Sequence, residues 1–263
     1  MKSISMSDTV ASLVESEEDN RQTLTMRVEQ NELTYQSAED ILAAVQDMIV
    51  SDPSSIVVDI DKVRTIDSSG LRVLLNCARL CESKGIVFRL DNPSKCITRM
   101  VALSGLGQFF GLPQDDISRA TPRQDVNLKD ANWTTVEHVA LCSASVMLRD
   151  RIVEAAMQAG AVEESLCDIV IAVGEALSNA YQHGSPCKIT SSIRVKCMSC
   201  AKAFVVEIED QGEAFDPETI PIPDLVQDHG RGIHIMRQAM DMVEYSFNHP
   251  GNRVRMVKWL QSG

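Results

Sequence analysis

GEALSNAYQHG, residues 174–184, closes a periodic run over 163–183, and reading that run as a helix decides the second half of the chain. At about 100° per residue, Glu175, Asn179 and His183 follow i, i+4, i+8 and fall within roughly 80° of one another. Leu166, Val170, Val173, Leu177 and Ala180 take the opposite side. The spacing therefore predicts that these pack on a sheet while the polar stripe faces a cleft or solvent. Taken alone, such a stripe is more often a solvated helix face. Its chemistry suggests a second reading. A carboxylate such as Glu175 can take a proton from an attacking hydroxyl or water. Asn179 offers a neutral, hard oxygen suited to magnesium already bound by phosphates.

Two downstream motifs bear on that reading. Asp210-Gln211-Gly212 follows the strand-like VVEIED. A carboxylate there can accept from the exocyclic amine of adenine, and a glycine lets a flat ring approach the backbone. By itself it is equally a strand-ending turn. Gly230-Arg231-Gly232 precedes a helical run from Ile233 to Met242. Free amides at a helix start, with an arginine beside them, favour a polyphosphate, although glycine pairs are common at turns.

Working outward, helical patterns are expected at 143–159 and 163–183, then alternating strands at 188–197 and 203–210. A helix near 231–242 and strands at 243–248 and 253–260 follow. Strands clustered after helices predict an α+β layer, with helices on one face of a mixed sheet. The first half alternates instead. Strands at 22–29, 55–60 and 86–90 are separated by helical runs at 37–50, after Gly70, and from Pro93 to Ser104. That order predicts an α/β domain over 21–112. Residues 113–131, rich in Pro, Asp, Arg and Gln, read as a linker to a second domain at 132–263, and residues 1–20 as a mobile acidic tail.

Composition narrows the function classes. The net charge of -12 divides evenly: residues 1–120 hold 12 Lys/Arg against 18 Asp/Glu, and residues 121–263 hold 13 against 19. Neither half has the basic excess that drives binding to nucleic-acid backbones or anionic membranes. No apolar run reaches the roughly 18 residues of a membrane span, and residues 1–20 lack the apolar core of a signal peptide, so a cytoplasmic protein is expected. Eight cysteines are scattered. Cys197-Met198-Ser199-Cys200 has the spacing of half a zinc site without a matching second pair, which reads as a hairpin with incidental thiols.

EALSNAYQHG, EDQGEAFDP and GRGIHIM, in that order over about 131–263, resemble the GHKL (HATPase) fold, and most of all the anti-sigma-factor serine kinases. The resemblance implies ATP and Mg²⁺ as cofactors, with Glu175 the activating base and Asn179 the magnesium ligand. It implies Asp210 with Gly212 at adenine, Gly230, Arg231 and Gly232 around the phosphates, His183 at the helix end, and a short lid from Glu213 to His229. It also allows a homodimer. One departure stands out: the family often has Thr after its late glycine, where this chain has Gly251-Asn252-Arg253.

IVVDIDKVRTIDSSGLRVLL, within 22–112, resembles the STAS domains of anti-sigma-factor antagonists. Ser68 and Ser69 precede a helix, where a serine oxygen can cap free amides. The resemblance implies phosphorylation of the first serine after the Asp, hence Ser68, with Ser69 the alternative. Together the two likenesses imply a partner-switching regulator whose second half phosphorylates a STAS serine in cis or in trans. The partners implied are a STAS antagonist, a sigma factor and a PP2C-type phosphatase. The alternative is a non-catalytic, nucleotide-gated binding module that sequesters a sigma factor or a STAS protein.

Overall fold

The computed structural model describes residues 10–18, 21–112, 134–141, 145–184, 191–213, 217, 231–246 and 251–260. The chain divides into two compact units, Met1–Ile117 and Ser118–Gly263. The segment 113–131 lies outside the described residues.

The first unit is α/β. Its strands are β1 (Val10–Glu18), β2 (Arg21–Val28), β3 (Glu32–Leu33), β4 (Ser55–Asp59), β5 (Thr65–Ile66) and β6 (Val87–Asp91). Its helices are α1 (Tyr35–Ile49), α2 (Ser68–Glu82), α3 (Lys95–Leu103) and α4 (Gly107–Phe110). The main sheet runs β1-β2-β4-β6, with β2, β4 and β6 parallel and β1 antiparallel to β2; β3 and β5 form a short parallel pair. Ile56, Val58, Met26 and Leu90 of the sheet are buried, as are Leu71, Leu74 and Leu75 of α2 and Ile41 and Val45 of α1.

Residues 10–18, expected within a mobile tail, are instead an edge strand in register with β2, Leu13 opposite Met26 and Glu15 opposite Leu24. The physical reason is backbone pairing: β2 would otherwise present a row of open N–H and C=O groups, and even an acidic segment can satisfy them. The helix after Asp67 also begins one residue earlier than the serine-cap reading allows. Asp67 is the N-cap, its Oδ1 accepting the Gly70 N–H at 2.8 Å and the Ser69 hydroxyl at 2.6 Å. The Asp67 N–H in turn donates to Leu33 O at 3.2 Å, and a Cβ on Gly70 would collide with the same carbonyl. The start of α2 is thus pressed against β3.

The second unit is α+β. Its elements are β7 (Thr134–Leu141), α5 (Ser145–Gln158), α6 (Glu163–Gln182), β8 (Ser192–Cys200), β9 (Ala203–Glu209), α7 (Arg231–Ala239), β10 (Met242–Ser246) and β11 (Arg253–Trp259). The sheet order is β10-β11-β9-β8-β7, and each of its pairings is antiparallel rather than mixed. Hairpins β8–β9 and β10–β11 account for two of those pairings, and β11 returns beside β9. Ile193, Val195, Phe204, Val206, Ile208, Val254 and Met256 are buried and share one sheet face.

The other face carries charge in rows. Glu137, Lys196, Glu207, Arg255 and Glu244 are successive cross-strand partners, and Arg194, Glu209 and Arg253 form a shorter row beside them. Arg194 pairs with Glu137 at 2.9 Å, Arg253 with Glu209 at 2.6 Å, and Arg255 with Glu207 at 3.6 Å. Partly exposed pairs of this kind contribute about 0.2–1 kcal/mol each. Cys197 and Cys200 both lie on β8 an odd number of residues apart, so they project from opposite faces and cannot grip one ion. Among the described residues no group of three or more His, Cys, Asp or Glu is placed to hold a metal.

Candidate functional site

α6 positions the first part of the site. It is covered by α5, by α7 and by the sheet strands β9 and β11, so its buried surface is wider than a single wheel face. Ile169, Ala172, Val173, Ala176, Leu177 and Ala180 are buried, whereas Leu166 and Val170 are only half-buried. The polar stripe therefore does not simply face solvent. Glu175 is 1 % exposed, Asn179 is half-buried and His183 is exposed at the helix end.

Glu175 and Asn179 meet the start of α7. A Cβ built on Gly232 would lie 2.5 Å from Glu175 Oε2 and 3.7 Å from Asn179 Nδ2. A side chain at 232 would displace the Glu175 carboxylate from its present position, so the glycine lets the first turn of α7 lie against the acid. Arg231 opens that turn, and Gly230 lies outside the described residues. The site thus joins a buried carboxylate, an amide and a helix N-terminus, although Glu175 and Gly232 are far apart in sequence.

The same two helices are tied behind the site by a buried ion pair. Lys258 of β11 reaches Asp168 of α6 at 2.6 Å and donates to Ala239 O, at the end of α7, at 2.8 Å. Asp168 is 2 % exposed. Removing one partner of such a pair leaves an uncompensated buried charge, at a cost of about 3–5 kcal/mol.

The second part of the site gathers around Asp210, the residue after β9. Asp210 Oδ1 accepts the Gly212 N–H at 2.8 Å and Asn252 Nδ2 at 3.0 Å, and Asn252 Nδ2 also donates to Glu213 O at 3.0 Å. The Asp210 N–H donates to Asn252 O at 3.0 Å, and the Gln211 N–H to Gly184 O at 3.1 Å. Glycines make this crowding feasible. A Cβ on Gly184 would fall on the Asp210 carboxylate, and one on Gly212 would lie 2.5 Å from Gly184 Cα and 2.7 Å from His183 O. At Gly251, φ is +110° and a Cβ would strike Asp210 O. His183 reaches this cradle through its backbone; its own N–H donates to Asn179 O at 2.8 Å, closing α6.

The expected site residues thus fall into two groups, Glu175–Asn179–Gly232 with Arg231, and Asp210–Gly212 with the end of α6. Of the expected lid, residues 214–216 and 218–229 lie outside the described residues. Sequence reading missed Asp168 and Lys258, the amide clamp of Asn252, and Tyr245. Burial pushes the Tyr245 hydroxyl well above its ordinary pKa; Arg237 opposes that shift and Glu175 adds to it, so all three side chains share one field. A half-buried tyrosine on an edge strand beside a helical arginine leaves no sequence signal. Asn252 had one, its departure from Thr after the glycine.

The fold defines a chain of two modules, and residues 16–114 match the STAS domain family (Mlab, STAS domain) while residues 139–258 match the histidine kinase-like ATPase domain. Over 103 residues the chain is 32% identical to the anti-sigma F factor of Clostridium perfringens strain SM101, a match covering 36% of this chain and 73% of that protein. The anti-sigma F factor of strain ATCC 13124 matches at the same identity and coverage. The chain belongs to the family of these anti-sigma F factors, with a STAS domain ahead of the kinase-like ATPase domain. A solved structure of the RsbU and RsbW domains of Rv1364c from Mycobacterium tuberculosis is similar at a TM-score of 0.38 and 16% identity, over 48% of this chain and 32% of that one. No helix among the described residues is long and apolar enough to cross a membrane.

Proposed function

We propose that the second unit is an ATP-dependent protein serine kinase and that its substrate is a STAS-domain serine, Ser68 of this chain or its counterpart in another protein. The observation that carries this reading is the close approach of Gly232 to Glu175 and Asn179, which sets a buried acid beside a helix start suited to phosphates. The glycine cradle around Asp210, which side chains would fill, fits a flat base.

In this reading Asp210 takes the amine of adenine, and Gly212, Gly184 and Gly251 leave room for the ring. Arg231, Gly232 and Gly230 hold the phosphates with backbone N–H groups and a guanidinium. Magnesium entering with the phosphates would offset their charge, and Asn179 would supply it one side-chain oxygen. Glu175 accepts the hydroxyl proton of the attacking serine. The serine oxygen forms a bond to the γ-phosphorus, the bond from that phosphorus to its bridging oxygen breaks, and ADP leaves. Positioning and charge balance supply most of the acceleration.

On the acceptor side, Asp67 favours Ser68 over Ser69. The Ser69 hydroxyl already donates to Asp67, and a phosphate there would stand against that carboxylate. A phosphate on Ser68 would sit at the first residue of α2, where the helix dipole tolerates it. Nearly two added charges would then change what binds this surface, which is how a partner switch between a STAS protein and a sigma factor would be thrown. A PP2C-type phosphatase would reset it.

The test is the intact mass of the protein after incubation with Mg-ATP, alone and with a separate STAS protein, for the wild type, Ser68→Ala and Glu175→Ala. One added phosphate, lost in Glu175→Ala, is expected. Gain on the added STAS protein alone assigns transfer in trans. No gain on either protein, with ATP still bound, would establish the non-catalytic, nucleotide-gated binding module instead.

A further inference from the structure

We propose that Lys258 is a positioning residue for phosphoryl transfer, one that sets the register of α7 along α6; its bearing on transfer rests on the kinase reading above. The two helices pack together, and a polar contact marks each end of their shared length. At one end Gly232 of α7 lies against Glu175 of α6. At the other, Lys258 Nζ donates to Asp168 Oδ2 of α6 at 2.6 Å and to the carbonyl of Ala239, the last residue of α7, at 2.8 Å. Asp168 and Glu175 are seven positions apart, and so are Gly232 and Ala239. Seven residues are close to two helical turns, about 10 Å, so each pair lies on one stripe of its helix. The helices therefore run antiparallel, with the same two-turn interval between the anchors on both.

What lies between the anchors does not fix that register. The α6 stripe carries Ala172 there, and α7 contributes the buried side chains of Ile235 and Met236. Apolar burial is non-directional, so such a seam tolerates a slide along the axis. The bonds of Lys258 do not, because a slide of one residue is about 1.5 Å and takes a hydrogen bond out of range. Nor can the lysine follow α6. Trp259 N–H donates to Asp241 Oδ2 at 2.8 Å and Asp241 N–H to Val257 O at 3.0 Å, so both neighbours of Lys258 are held to the turn after α7. The lysine, that turn and the end of α7 form one piece, which the bond to Asp168 ties to α6.

The place of Lys258 on its strand argues the same way. It alternates with buried Val254 and Met256 on β11 and so faces the core. An apolar residue would serve packing there as well, since hydrophobic replacement of a buried ion pair is often neutral or stabilising, whereas fixing a register is the best-attested use of such a pair. Register matters at the other end of the seam. A slide of one residue would bring Arg231 or Ile233 toward Glu175 in place of the glycine, whose bare Cα is what leaves room for the carboxylate. A misplacement of about 1 Å among reacting groups can cost about 10²-fold in rate.

The experiment uses the full chain carrying Lys258→Met and Asp168→Leu together, which removes both charges and should keep the urea midpoint close to that of the wild type. Hydrogen exchange read by mass spectrometry, without nucleotide, should show residues 231–239 exchanging on the order of tenfold faster than in the wild type, with the first unit unchanged. With Mg-ATP and a separate STAS protein, kcat for transfer should fall about 10²-fold, while the Kd for ATP changes by less than about threefold. Unchanged exchange over 231–239 would overturn the register role. A rate loss matched by an equal loss of ATP affinity would overturn the positioning role. Loss of the cooperative urea transition would show that the pair holds the fold rather than its register, and would overturn both. A wild type that transfers no phosphate would overturn the kinase reading, and exchange over 231–239 would still decide the register.

Discussion

Asp67 and Glu175 are both carboxylates set on helices, one in each unit, and the chain uses them in opposite ways. Asp67 is half-buried and its Oδ1 serves two donors within three residues, so it shapes the backbone that carries Ser68. Glu175 sits in the middle of α6, buried where a glycine of another helix reaches it. An acid saturated by its own loop fixes a local shape at modest energy. An acid buried between helices responds to whatever the second helix brings. The first unit therefore presents a locally fixed surface feature, and the second encloses an acid where two helices meet.

The sharpest way to break that comparison is at Glu175. Glu175→Gln should lower phosphoryl transfer about 10²–10⁴-fold, as expected for loss of a general base, with ATP affinity retained. Asp67→Asn should leave transfer to a separate STAS protein unchanged. A rate loss in both variants would mean that the two acids do not divide the work as described.

Next in size is Lys258→Met, which removes the cation paired with buried Asp168. Urea unfolding of the second unit should show a loss of about 3–5 kcal/mol. A variant with both Lys258→Met and Asp168→Leu should recover most of it, which separates the buried charge from packing. Smaller again is Asp67→Ala, with a loss of about 0.5–2 kcal/mol confined to the first unit, the range of a lost N-cap.

The smallest effect is a pH dependence at Asp59. Burial alone would raise its pKa, but bonds from Asn92, Arg27 and the Asp61 N–H outweigh burial and hold it below the ordinary carboxylate value. A depressed folded pKa contributes stability above the unfolded value of about 3.9. That contribution is lost as pH falls through the folded pKa. Chemical denaturation from pH 5 downward should therefore show a steeper loss in the wild type than in Arg27→Met. Identical slopes would remove Arg27 from the account.

Much of this was legible in the sequence because it is local. The α6 period, the Asp-x-Gly after β9 and the helix after Asp67 all declare themselves within a dozen residues. The misses in the second unit share one cause, contacts made over long separations. Glu175 reads as part of a polar stripe; it is buried where Gly232 of α7, 57 positions away, comes against it. Lys258 meets Asp168 across 90 positions and Asn252 meets Asp210 across 42, so neither pair leaves a periodic trace. β1 was missed because an acidic edge strand is held by backbone pairing, which side-chain composition does not report. Asp67 was overlooked as the cap because serine is an equally good one, and only the position of the first helical residue decides between them.

The charged rows on the open sheet face have a consequence for assembly of the second unit. Read across the order β10-β11-β9-β8-β7, the strands alternate in sign, acidic, basic, acidic, basic, acidic. Sign alone therefore sorts which strands accept each other: the two basic strands cannot lie side by side without opposing their cations, and each finds acids on both flanks. The two outermost strands are both acidic on this face, Glu137 on one and Glu244 on the other. Two copies approaching rim to rim would bring like charges together, which disfavours extending the sheet through either edge.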